Sequence, residues 1–198
     1  MAKLLLDCEP LSGLPWHLSL ATEEWEREEA FRLRYEVFAE EQGHGVAAEG
    51  AAEGMDVDPF DHWCEHLCLR DEARGRLIGT YRLIPGPAAL RHGGFYSGTE
   101  FDLSPLTAGP AAIAPRVLEV GRTCVAGPYR NGLAMQFLWY GLEMMLQREG
   151  YRYLLGCASF SAESPEQLAR VYGFTRRFAA DPEIFCRPVE RCRVAGLP

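Results

Sequence analysis

The segment from residue 116 to residue 159 limits the fold more than any other. RVLEVGRTCV (116–125) has the composition of a strand, AGPYRNG (126–132) is a short glycine-containing loop, and after it the apolar period changes. From Asn131 to Glu149, Leu133, Met135, Phe137, Leu138, Gly141, Met144, Met145 and Leu146 recur at helical spacing, and Gly150 closes the helix. YRYLLGCAS (151–159) is again a strand. Strand, short loop, helix and strand make a right-handed parallel crossover with the loop at the helix N-terminus.

The flanking elements give an α/β class with a mixed sheet. EEWEREEAFRLRYEVFAEEQG predicts a helix with Thr22 as N-cap and Gly43 as its stop, and Phe31, Tyr35 and Phe38 form its apolar stripe. GVAAEGAAEG (45–54) is a low-complexity loop with no large apolar anchor. A strand around 64–70, a turn at 71–75 and RLIGTYRLI (76–84) read as a hairpin, which Pro85-Gly86-Pro87 ends. A Gly/Pro/Ala-rich excursion fills 85–115. Ser164 and Pro165 start a last helix at the N-cap and first positions, and a final strand is expected around 183–190. The 198 residues suit a single domain, 1–198.

Charge and cysteine usage narrow the function. A net charge of −8 with no long Lys/Arg run argues against nucleic acid as a partner. Seven cysteines, an odd number without a CxxC pair and without a preceding signal peptide, predict a reducing cytoplasm. No run approaches the roughly 18 apolar residues of a membrane span, so membrane contact is expected to be peripheral at most.

The stretch DHWCEHLCL (61–69) invites a metal reading, and chain geometry opposes it. In a strand, His62, Cys64, His66 and Cys68 share a face but spread over roughly 20 Å. In a helix, the His pair and the Cys pair lie about 200° apart. Neither arrangement gathers four ligands for a tetrahedral ion, so no metal is expected, with Trp63, Leu67 and Leu69 on the opposite face of a strand.

Two other places carry chemistry. Arg130 and the backbone N–H groups of Asn131, Gly132 and Leu133 sit at the positive end of the 131–149 helix, a cradle for phosphate or carboxylate. Glu119 and Arg122 are three apart on one strand, where ideal geometry points them to opposite faces; their joint use requires a bulge or bend near Gly121.

Together, FRLRYEVFAEE (31–41), DPFDHWCEHLCLRD (58–71), GTYRLI (79–84), GGFYSGTEFDLSPL (93–106), LEVGRTCVAGPYRNG (118–132) and LARVYGF resemble the GNAT acyltransferases. The branch they resemble is that of the bacterial ornithine-lipid N-acyltransferases, relatives of the N-acyl amino acid synthases and acyl-homoserine-lactone synthases. The resemblance covers roughly residues 31–175 and implies a mixed central sheet with splayed parallel strands flanked by helices. It further implies transfer of a long-chain, 3-hydroxy acyl group from acyl carrier protein to the α-amino group of an amino acid, ornithine being favoured. No permanently bound cofactor is implied, only the donor's acyl-phosphopantetheine.

By the same resemblance, Arg34, Phe38, Asp58, Asp61 and Arg82 match substrate-binding positions: the aspartates would hold cationic groups, and Arg34 or Arg82 the α-carboxylate. Glu119 and Arg122 match the Glu-x-x-Arg of the central strand, with Glu119 as general base and a backbone N–H near Thr123 or Cys124 facing the oxyanion. Cys124 is the alternative nucleophile. Val125, Arg130, Asn131, Gly132 and Leu133 would hold the phosphopantetheine, in a loop one residue shorter than the common Gln/Arg-x-x-Gly-x-Gly/Ala. Arg130, Arg148 and Arg152 are candidates for docking the acidic carrier protein. Other readings on the same residues are acylation of a different amino acid, autoinducer synthesis, and a non-catalytic acyl or carrier-protein binding module.

Overall fold

The computed structural model describes residues 3–43, 50–108, 112–159, 164–178 and 184–194. Strand β1 (Lys3–Asp7), a single helical turn α1 (Glu9–Ser12) and β2 (Trp16–Leu20) lead into α2 (Glu24–Tyr35). The N-cap of α2 is Glu23, not Thr22, because the Glu26 carboxylate reaches back to accept both the Thr22 N–H (2.7 Å) and the Glu23 N–H (2.9 Å). The helix then widens into π geometry over Glu36–Glu41, and Gly43 follows with a left-handed φ of 66°. Of the loop expected over 45–54, residues 45–49 lie outside those described, and Ala51–Glu53 form a 3₁₀ turn.

The hairpin is present as β3 (Glu65–Asp71) and β4 (Arg76–Pro85). The excursion after it is structured: α3 (Gly86–His92), a 3₁₀ turn at Tyr96–Thr99, β5 (Phe101–Asp102) and α4 (Ser104–Thr107) wrap Ile84, Ala89, Phe95, Leu103, Leu106, Ile113, Ala114 and Val117 into an apolar cluster of their own. Then come β6 (Val117–Val125), α5 (Leu133–Glu149), β7 (Tyr153–Leu155), α6 (Pro165–Thr175) and β8 (Arg187–Pro188).

The main sheet has the order β1-β2-β3-β4-β6-β7, antiparallel except for β6 and β7, which run parallel as the crossover requires. Two expectations need correction. The strand predicted over 151–159 is only three residues long, because its pairing with β6 stops at Glu119↔Leu155, where the two strands part. The strand expected around 183–190 shrinks to Arg187–Pro188 and pairs with β5 rather than the main sheet; Pro188 has no N–H with which to extend a ladder. The α6 start is as expected, with Ser164 Oγ accepting the Gln167 N–H at 3.2 Å.

Helices α2 and α5 cover opposite faces of the sheet. On β3, His66 meets Phe31 of α2 edge to face at 5.2 Å, while Leu67 on the alternate side packs against Gly141 of α5. Trp63 precedes the strand and stacks on His92 instead of joining Leu67 and Leu69. No helix among the described residues is long and apolar enough to cross a membrane.

A Cβ on Gly141 would lie 2.7 Å from Leu18 Cδ2 and 2.9 Å from Leu67 Cδ2, both in the closed core. Gly141→Val is therefore expected to lower unfolding free energy by about 1–3 kcal/mol through overpacking, measured by chemical denaturation.

Candidate active site

The first half of the site is a buried network of three arginines and three aspartates. Arg34 of α2 donates from Nε to Asp56 Oδ2 (2.9 Å) and from both Nη atoms to the two oxygens of Asp61 (2.8 Å each). Arg82 of β4 donates to Asp58 Oδ2 at 2.6 Å and sits over the rings of Phe60 and Tyr96, which meet each other edge to face. Arg122 of β6 brings Nη2 to 3.4 Å from Asp58 and 3.6 Å from Asp56. The aspartates are held locally as well: Pro59–His62 is a 3₁₀ turn capped by Asp58, whose N–H donates to Asp61 Oδ2 and whose Oδ1 accepts the Phe60 N–H, both at 2.9 Å.

Burial alone would raise the Asp61 pKa, but the Arg34 hydrogen bonds and the Arg34 and Arg82 charges outweigh it and hold the group at about 2. These contacts already occupy the residues expected to bind substrate. Arg34 has no exposed surface and Asp61 almost none, and neither they nor Asp58 line the neighbouring cleft. A substrate ion could reach them only by breaking ion pairs already made.

Asp61, Cys64 and His66 place donor atoms within 4.8 Å of one another, since Cys64 sits in the turn before β3 rather than in the strand. Two of the three donors are unsuited to a cation, since Asp61 is bidentate on Arg34 and burial pushes the Cys64 thiol up, which leaves the neutral His66 alone as a ready ligand.

The second half is a cleft of about 510 Å³ opened by the parting of β6 and β7. Residues 119–123 of β6 line it on one side and residues 156–159, which follow β7, on the other. Gly156 marks the fork: its Cβ would fall 2.7 Å from the Val120 carbonyl, so only glycine lets the chains approach so closely there. The irregularity expected near Gly121 is present. Between Thr80↔Cys124 and Arg82↔Gly121, β6 carries one extra residue, and Arg122 takes a left-handed φ of 49°. The bulge brings Glu119 and Arg122 to the same cleft, with Phe38, Arg82 and Thr123.

Glu119 is buried and clamped by the turn at Tyr96–Thr99. Its Oε2 accepts the Tyr96 N–H (2.7 Å), and its Oε1 accepts the Ser97 N–H (2.7 Å) and the Ser97 hydroxyl. Desolvation raises its pKa overall, against the lowering effect of these bonds. Cys124 lies behind the strand, its thiol pushed up to about 12 by burial, which leaves it no thiolate to act as a nucleophile. Among the residues not singled out in the sequence are Tyr96, Ser97 and Glu100, with Cys157: Tyr96, Glu100 and Cys157 line the cleft, and the buried Ser97 reaches it through Glu119. The first three lie in the GGFYSGTEFDL segment, and no local spacing connects them to Glu119.

The loop after β6 is partly self-satisfied. Arg130 donates to the Val125 carbonyl (2.8 Å) and to Glu41 (2.5 Å), and Asn131 Oδ1 accepts the Leu133 N–H (3.1 Å). The helix begins at Leu133, with Gly132 as N-cap at a φ of 93°. Of the three N–H groups expected in an anion cradle, that of Leu133 is already taken.

A curled mixed sheet with a cleft between diverging parallel strands defines an acyltransferase architecture, and residues 33–140 match the acetyltransferase (GNAT) domain. The chain belongs to this family. It is 35% identical over 160 residues to the L-ornithine N(alpha)-acyltransferase of Agrobacterium fabrum (strain C58 / ATCC 33970), covering 78% of this chain and 54% of that protein. It is likewise 35% identical over 174 residues to the protein of the same name from Brucella abortus (strain 2308), covering 85% and 59%. The chain thus spans little more than half the length of these curated relatives. Its fold is shared with a CoA-dependent acyl-homoserine lactone synthase solved with SAM and isopentyl-CoA: TM-score 0.50, 20% identity, 76% of this chain and 64% of that one.

Stability should respond to pH through His66 and then Asp61. A histidine held at about 4 while its unfolded pKa is about 6.5 stays neutral as the unfolded chain takes up a proton. Unfolding free energy should therefore fall by up to about 3 kcal/mol as pH drops from about 6.5 to about 4. Asp61 adds a further loss below about pH 4, down to its folded value of about 2. Denaturation midpoints across this range check the sequence of events, and His66→Gln should flatten only the upper segment.

Proposed function

We propose that the chain carries the catalytic domain of an N-acyltransferase that moves a long-chain, 3-hydroxy acyl group from acyl carrier protein to the α-amino group of L-ornithine, the first step of ornithine lipid synthesis. The observation that carries this reading is the pairing, in one cleft, of a buried carboxylate of raised pKa, Glu119, with a guanidinium that keeps about a quarter of its side chain exposed, Arg122. The names of the relatives support the amine, and the gap between β6 and β7 suits an extended pantetheine arm.

Arg122 takes the place of Arg34 and Arg82 as the partner of the substrate α-carboxylate, because Arg34 is sealed in its ion pairs and Arg82, though it borders the cleft, is almost fully buried and held by Asp58. Glu100, on the cleft wall, replaces Asp58 and Asp61 as partner of the side-chain ammonium. Glu119 takes a proton from the α-ammonium, directly or through one water, and the amine nitrogen attacks the thioester carbonyl carbon. The oxyanion faces a backbone N–H at Thr123 or Cys124. Collapse of the adduct breaks the C–S bond and forms the amide, and the extra proton on the nitrogen passes to the leaving sulfur, directly or through water, so that pantetheine departs as a thiol. Val125 and Arg130 to Leu133 border the donor's phosphate, and Arg130, Arg148 and Arg152 would meet the carrier protein. The setting is cytoplasmic, at the periphery of the inner membrane, and no bound cofactor or metal takes part.

The test is product identification by mass spectrometry with acyl carrier proteins and coenzyme A thioesters, with and without the 3-hydroxyl, against a panel of amino acids. Equal rates with acyl-coenzyme A at all ionic strengths would reject the carrier protein as donor. Glu100→Gln is expected to raise KM for ornithine roughly 10- to 100-fold, with little effect on an uncharged amino acid of similar size. An equal loss for both amines would remove Glu100 from the pocket.

Glu119→Gln should lower kcat by about 10² to 10⁴. Ser97→Ala removes a hydrogen bond that lowers the Glu119 pKa, so the acid limb of the kcat–pH profile should move to higher pH. An unmoved limb would mean that another group takes the proton.

A further inference from the structure

The sequence from 164 to 194 differs in charge from the rest of the chain. It carries six arginines against four carboxylates, within a protein whose balance is −8. Helix α6 lies in this region, and none of its residues is fully buried. Leu168, Val171 and Tyr172 are half-covered, while Phe174 is 58% exposed and Phe178 70% exposed, their rings edge to face at 5.2 Å. Arg170 and Phe174 fall at i and i+4 on one side of α6, Arg177 follows in the Arg176–Phe178 turn, and all three are exposed. Two large apolar rings flanked by arginines on an amphipathic helix are the composition of an element that lies in the plane of a lipid interface.

We propose that α6 and the Arg176–Phe178 turn after it form a docking surface for an anionic lipid bilayer, the phenyl rings entering the interface while Arg170, Arg176 and Arg177 meet the headgroups. Charge complementarity fixes the orientation, because a protein of net charge −8 is repelled by an anionic membrane except where such a patch faces it. An acidic carrier protein would also answer the arginines. Protruding phenyl rings favour a partner that deforms around them, and a bilayer does so without a matching groove. The surface also lies near the cleft: Ser159 lines it, and α6 is capped at Ser164, at most roughly 17 Å of chain away. A lipid product leaving the cleft would thus emerge beside the bilayer. Only this purpose rests on the function proposed above; the surface itself follows from charge and apolarity.

Co-sedimentation of the full chain with phosphatidylcholine vesicles, with and without phosphatidylglycerol, tests the proposal independently of catalysis. Binding is expected to the anionic vesicles only and to weaken as salt is raised. Two double variants, Phe174→Ser with Phe178→Ser and Arg176→Glu with Arg177→Glu, should each weaken it by about tenfold or more. Circular dichroism should stay unchanged, since all four side chains are exposed. No preference for anionic vesicles, or variants that sediment like the parent chain, would overturn the proposal. So would substitutions that abolish capture of acyl carrier protein and leave vesicle binding intact, since the patch would then be a carrier-protein site.

Discussion

Arg34 sets the geometry on which the rest depends. A guanidinium with no exposed surface must be fully paired, and its fork fits Asp61 on one side and Asp56 on the other. Those two aspartates belong to one short segment, so the pairing fixes the 56–61 segment against α2. Asp58, in the same segment, then reaches Arg82 on β4 and Arg122 on β6. Helix, turn and two strands are thus tied by six side chains of opposite charge in equal number. The net contribution of such a network to stability is small, because the desolvation of each ion offsets most of its attraction. Removing one member is costly, about 3–5 kcal/mol, because it leaves an uncompensated buried charge.

The same network gives a physical reason for the bulge in β6. A regular strand would send Arg122 away from the face that carries Glu119. The extra residue and the left-handed backbone at Arg122 turn the guanidinium toward Asp56 and Asp58 while it stays on the cleft wall. Strain at this position is offset by attraction to two buried carboxylates. Asp56 Oδ1 and Arg122 Nε have no hydrogen-bond partner among the described residues, so the contact between these two side chains is looser than that of Arg34. A loosely held cation at the cleft surface can exchange partners, which Arg34 cannot.

The crossover, the hairpin, the glycine stops and the Glu119–Arg122 irregularity were legible in the sequence because each rests on periodicity or on one local conflict of spacing. The acidic turn at 58–61 was legible as important but not as buried: the same aspartates that suit an amine pocket also suit two arginines, and only three-dimensional packing decides between them. The excursion over 85–115 was opaque because its glycines and prolines obscure an apolar set that coheres only when Ile84 and Val117 close around it. Ser97 was hidden for the same reason. Its hydroxyl meets Glu119 across 22 residues, and neither residue has a neighbour in sequence that announces the other.

Charge balance connects these parts. The three arginines and three aspartates neutralise one another, so the cleft in front of them is governed by what remains, Glu119 and Glu100. Burial raises Glu119 against the lowering effect of the Ser97 and Tyr96 hydrogen bonds and of the Arg82 charge. In the proposed reaction, the second ammonium of the amino acid would pair with Glu100, while its carboxylate would draw on the exposed part of Arg122. When the α-ammonium gives up its proton to Glu119, one of the two negative charges disappears, at the moment a neutral amine is needed for attack. In the function proposed above, the preference for a cationic amine would rest on Glu100 and the readiness to accept a proton on the desolvation of Glu119, the two carboxylates left in front of a balanced network.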